Sequence, residues 1–185
     1  MSQEEPHRDE RSSASRWFSP GLVQDNEVVL RTIFDPHHLE GGVLAPAAVA
    51  LSDLRFRGWS VDRKKFTSLW KLKLSHRGWI KKKRDLDRCL VIPVDVRSVR
   101  SFSENQIQTF SVTDFALASN PAHAAILLST KSGEGAARKA RSTLMNCLPA
   151  HVEASKVFSR NDRWGWSRGI AFALFNMLRR LVGLS

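Results

Sequence analysis

Twelve of the chain's 29 lysines and arginines crowd into one thirty-residue window, Arg55 to Arg84, where they meet a single acid, Asp62. The window alone carries +11, the whole formal net charge of the chain, and the other residues balance. Phe56, Trp59, Phe66, Trp70 and Trp79 are threaded through it. Any fold must therefore give this stretch one cationic side in water and one apolar side against a core.

Confining the charge in this way favours a polyanionic partner, either a nucleic acid or an anionic membrane surface. Lysines and arginines would neutralise phosphates, while exposed aromatics would stack bases. The candidate nucleic-acid-binding set is Arg55, Arg57, Trp59, Arg63, Lys64, Lys65, Lys71, Lys73, Arg77, Trp79, Lys81, Lys82, Lys83 and Arg84. The plainer reading is a solvated cationic face whose aromatics pack inward.

At 185 residues with 42% apolar side chains, the chain suits one globular domain. Cys89 and Cys147 are too few and too isolated for a disulfide scaffold or a Cys-x-x-Cys site. The first fifteen residues lack the apolar run of a secretory signal, and no stretch of eighteen apolar residues exists. A cytoplasmic protein, membrane-peripheral at most, is expected.

The organisation reads as a disordered leader over residues 1–24 with a small aromatic anchor at Trp17 and Phe18, an α+β domain over 25–158, and a Trp-rich linker with an amphipathic helix over 159–185. Glu27 to Phe34 is β-branched and apolar and stops at Asp35-Pro36, a core strand closed by a turn. Around Asp62, an N-cap with Val61 and Phe66 stapled across it predicts a helix to about Leu69, with a strand following from Trp70. Arg88 to Val99 reads as a strand whose Pro93 suits an edge or a bulge, and Gln106 to Leu117 as a second strand, the two forming an antiparallel hairpin. A helix is expected from Ala136 to about Leu148. The fold class is thus α+β, an antiparallel sheet with packed helices.

Three constellations carry candidate chemistry. The basic window is the first. His37-His38 and His123 form the second: they lie in proline-bearing turns, and His38 with His123 could serve as base and acid of phosphodiester cleavage, with Arg57 or Arg63 stabilising the phosphorane. Equally, they could hydrogen-bond the backbone only. The third is the tail, where Trp164, Trp166, Ile170, Leu174, Phe175, Leu178 and Leu181 give a wide apolar arc suited to a partner subunit, the protein's own core or a membrane interface. Phosphate-loop, nucleophile-elbow and zinc-helix motifs are absent, and no metal or cofactor is expected.

The succession Val28-Val29-Leu30-Arg31, Phe34-Asp35-Pro36-His37-His38, Leu54-Arg55, Arg57-Gly58-Trp59-Ser60-Val61-Asp62-Arg63 and Asn120-Pro121-Ala122-His123-Ala124 resembles a family of small uncharacterised bacterial proteins associated with conflict or defence gene neighbourhoods. The resemblance brings no activity with it. It implies that His38, the Arg57–Arg63 segment and His123 converge in space. The expected function is a basic nucleic-acid-binding accessory subunit of a multi-protein bacterial system, docking through its C-terminal helix. A histidine-dependent phosphodiester- or nucleotide-acting enzyme and a peripheral membrane protein stand as alternatives.

Overall fold

The computed structural model describes residues 10, 17–68, 71–72, 88–130, 133–149 and 155–159. Strands β1 (Val28–Asp35), β4 (Trp59–Arg63), β5 (Arg88–Asp95), β8 (Phe110–Asp114), β9 (His123–Leu128) and β10 (Ser155–Ser159) form one antiparallel sheet in the order β10-β5-β1-β4-β9-β8. Short hairpins β2–β3 (Leu39–Glu40, Val43–Leu44) and β6–β7 (Ser103–Glu104, Ile107–Gln108) project from it. Helices α1 (Val96–Arg100) and α2 (Glu134–Asn146) complete an α+β fold.

Period-two alternation decides the faces. Val29 and Ile33, Trp59 and Val61, Leu90, Ile92 and Val94, Phe110 and Val112, and Ala124, Ile126 and Leu128 all enter one core, packed with Val96 and Val99 of α1 and with Ala137, Ala140 and Leu144 of α2. These α2 positions recur at helical spacing on one side, as the sequence predicts for this segment. On the opposite face Leu30 and Val91 pack with Leu72. Burying each such aliphatic side chain contributes about 1.5–3 kcal/mol.

Three expectations are corrected. Asp62 caps no helix: it lies in β4, which pairs with β1 through Val29↔Arg63 and with β9 through Trp59↔Ile126 to Asp62↔His123. Two-sided pairing overrides the local capping signal, and only the short turn Lys64–Phe66 is helical. Beyond it, Leu72 N–H donates to Ser68 O at 3.0 Å, so Lys71 and Leu72 sit in a helical turn where a strand was expected. The expected hairpin between 88–99 and 106–117 is also absent, because β1, β4 and β9 lie between those two strands in the sheet. β8 instead pairs with β9 across a tight turn in which Leu117 and Asn120 exchange backbone hydrogen bonds.

Pro93 belongs to an interior strand, yet it lies past the last β10 pair, Ser155↔Val91. A position past the last described pair suits a residue that has no N–H to give a neighbouring strand. The leading segment is tied down over its last residues, with Val23 in the core, whereas Trp17 is 99% exposed and anchors nothing. Residues 1–9, 11–16, 73–87 and 160–185 lie outside the described residues, so the leader's order and the amphipathic tail helix are not addressed.

A wide (π) turn, Asp53–Arg57, delivers the chain into β4 and ends at Gly58, whose φ is +88°. A Cβ at Gly58 would stand 2.5 Å from the Ala125 Cβ on β9. Gly58→Ala therefore meets both a disfavoured backbone and an overlap, and should cost roughly 2–4 kcal/mol, a fall in melting temperature of roughly 5–15 °C. A thermal melt checks this, and a shift below two degrees would refute it.

Candidate nucleic-acid interface

The described part of the basic window divides into two clusters at the two ends of β4, about 13 Å apart along the strand. At the entry end, Arg55, Phe56 and Arg57 form a surface triplet in which the Arg55 guanidinium lies 4.7 Å from the Phe56 ring centre. Phe56 is 66% exposed and Arg57 is exposed. Glu134 opens α2 nearby, and its carboxyl is held below its ordinary value by the Arg138 hydrogen bond and charge, with a smaller contribution from Arg55.

At the exit end, Lys64, Lys65 and Lys71 are exposed around Phe66, and the Lys65 ammonium lies 5.7 Å from the Phe66 ring. Phe66 and Lys71, with Thr67, Leu72, Ser119 and Asn120, line a cleft of about 420 Å³. Asn120 also donates to Asp62 Oδ1 at 2.7 Å. The window's one acid is thereby turned inward, 8% exposed, and leaves the cation surface unopposed.

Two of the proposed contacts are interior. Trp59 is fully buried, donates from Nε1 to Ala48 O at 2.8 Å and lies beneath the Arg31 guanidinium at 5.0 Å, so it stacks no base. Arg63 is 2% exposed and binds Glu27 through Nε (2.8 Å) and Nη2 (2.5 Å), with further donation to Gly21 O and Leu22 O. It neutralises a buried carboxylate, so it neither meets a phosphate nor stabilises a phosphorane. Burial by itself raises the Glu27 carboxyl, but the Arg63 hydrogen bond, the Gln24 amide and the charges of Arg63 and Lys65 outweigh it and leave the group below its ordinary value.

The histidines do not form an acid–base pair. His123 stands opposite Asp62, which stands opposite Leu30, while His38 is held at Phe34, four residues further along β1. That offset is about 13 Å along the strand, with two strand spacings in addition. Phe34 N–H donates to His38 Nδ1 at 3.2 Å, which puts the neutral ring's proton on Nε2. Burial, with the charges of Arg31 and His37, pushes His38 down to about 4. His123 Nδ1 lies 3.5 Å from Ser60 Oγ, and its ring meets Phe115 edge-on. Burial lowers His123 against the opposing pull of Asp62, the Val61 backbone and Asp114.

The Arg57–Arg63 segment and the Asn120–His123 turn do come together, bridged by Asp62–Asn120 and by Arg63 N–H to Ala122 O at 2.8 Å. Sequence reasoning missed Arg31. β1 and β4 part after Leu30↔Asp62, and Arg31 fills the gap by donating to Ser60 O at 2.7 Å. Burial lowers its pKa to about 10 against Asp53 and Asp62, which leaves it charged at neutral pH. A lone arginine inside an apolar strand was the available signal.

Lys73, Arg77, Trp79 and Lys81–Arg84 lie outside the described residues, as do Trp164, Trp166, Ile170, Leu174, Phe175, Leu178 and Leu181. Among the described residues no helix is long and apolar enough to cross a membrane, and no group of three metal-ligating side chains forms. Comparison with protein-family models, curated proteins and solved structures finds no match for this chain.

Proposed function

We propose that this protein binds nucleic acid through the surface flanking β4 and acts as an accessory subunit of a multi-protein bacterial assembly. The observation that carries the reading is the cleft of about 420 Å³ at the exit of β4, lined by the Phe66 ring and Lys71, with exposed Lys64 and Lys65 beside Phe66. Exposed Phe56 and Arg57, with half-buried Arg55 against the Phe56 ring, extend the same chemistry at the other end. An aromatic with flanking cations accommodates any base and its phosphate, which favours single strands and little sequence preference. The motif order supports the accessory role in a defence-type assembly.

The test is fluorescence anisotropy with single- and double-stranded DNA and RNA over a salt series. The plot of log affinity against log salt should be steep, and single strands should bind more tightly. In a Lys64/Lys65/Lys71→Ala variant the slope for single strands should flatten by about 2, since each lost phosphate contact removes ~0.7. Absence of binding at low salt, or an unchanged slope in the variant, would sink the proposal.

A further inference from the structure

The exit cleft of β4 offers a third kind of contact beside its cations and its aromatic ring. Asn120 closes the turn at one of its walls: Leu117 N–H donates to Asn120 O at 3.0 Å, Asn120 N–H returns to Leu117 O at 2.9 Å, and His123 N–H also donates to Asn120 O at 3.1 Å. Both backbone groups of Asn120 are thus spent inside the turn. Its side chain remains for the cleft, which Asn120 lines together with Phe66, Lys71 and Ser119.

The orientation of that side chain is fixed. Asp62 is buried in β4 and paired on both sides, with Leu30 of β1 and His123 of β9. A carboxylate only accepts, so the branch of Asn120 that meets Asp62 Oδ1 at 2.7 Å is the amide nitrogen. The other branch, Oδ1, is then an acceptor held at the cleft wall. It accepts no hydrogen bond and is not sealed from solvent. Donation to the carboxylate polarises the amide and strengthens Oδ1 as an acceptor.

A nucleotide has three parts, and Phe66 with the lysines serves two of them, the base and the phosphate. The third is the sugar, where RNA differs from DNA by a 2′-hydroxyl that can donate. We infer that Asn120 Oδ1 accepts from the ribose 2′-hydroxyl of a nucleotide whose base lies on Phe66, so that the single strand this cleft selects is RNA. The inference rests on the nucleic-acid reading of the same cleft. The contact is blind to base identity, in keeping with a stacking ring that takes any base. With deoxyribose in the cleft, Oδ1 faces a C–H and loses its partner.

The full-length protein is titrated with fluorescent oligouridylate, with oligodeoxyuridylate of the same length, and with the 2′-fluoro strand, which keeps the sugar pucker of RNA but has no hydroxyl to donate. Uracil throughout removes the base from the comparison. One net hydrogen bond predicts about three- to tenfold tighter binding of the RNA than of either other strand. A hydroxyl releases no counterion, so that ratio should hold across a salt series while all three affinities fall together. Asn120→Ala should bring RNA affinity down to the level of DNA and leave DNA affinity unchanged. If leaving Asp62 without its partner unfolds that variant, the 2′-fluoro comparison on wild type decides alone. Deoxyuridylate or the 2′-fluoro strand bound as tightly as RNA, or an RNA preference that survives in folded Asn120→Ala, would overturn the inference and leave the cleft a nucleic-acid site. Failure of all three strands to bind at low salt would remove the site itself.

Discussion

Glu27→Gln should destabilise the protein by about 3–5 kcal/mol, because it strips the counter-charge from an arginine that stays buried. Arg63 is 2% exposed and Glu27 8%, and the two meet through Nε–Oε2 and Nη2–Oε1. Arg63 cannot follow water outward without releasing the Gly21 and Leu22 carbonyls and the Phe66 ring 4.7 Å from its guanidinium. Against a typical total of about 5–15 kcal/mol, the loss is a large fraction of the fold's stability. Urea unfolding reads it as a lower midpoint at unchanged slope. A companion Glu27→Leu/Arg63→Met variant should recover only part, since two carbonyls lose their donor. The pH dependence follows the same pair. Glu27 titrates lower folded than unfolded, so its contribution is complete above the unfolded value of about 4.3 and disappears as pH falls through the lower folded value. Glu27→Gln should lack that component of acid destabilisation. A variant within about 0.5 kcal/mol of wild type would show that Arg63 finds water instead.

How much of this was legible depended on whether neighbours in sequence or neighbours in space governed a residue. β1 and α2 carry their own periodicity, and both stand close to where the pattern puts them. Asp62 with Val61 and Phe66 has the local grammar of a helix start, but Trp59, Val61 and Arg63 alternate equally well as a strand. Pairing to β1 on one side and β9 on the other decided between them. The partner that makes Arg63 interior is an acid 36 residues earlier, so its charge read as surface charge. The hairpin was misassigned for the same reason: 88–95 and 110–114 are successive long strands, yet β1, β4 and β9 lie between them. The Arg57–Arg63 and Asn120–His123 segments meet through Asp62–Asn120 and Arg63–Ala122, while His38 stays with β1.

The contrast between Trp59 and Phe56, three residues apart, separates what holds the fold from what faces a ligand. Trp59→Ala should cost about 3–5 kcal/mol, because it empties a fully buried site, leaves Ala48 O only the longer 3.5 Å donation from Arg31 Nη2 and removes the ring beneath Arg31. Phe56 has two-thirds of its surface in water and Arg55 stacked on it, so Phe56→Ala should leave stability within about 0.5 kcal/mol. If the surface around β4 stacks bases, the same variant should weaken single-strand binding by ~1–3 kcal/mol, roughly ten- to a hundredfold. Calorimetric melts and anisotropy titrations on both variants give the four numbers. Stability lost only at Trp59 together with affinity lost at Phe56 would locate recognition on the exposed ring. Unchanged affinity in Phe56→Ala would show that the entry turn stacks no base, because Phe56 is its one aromatic.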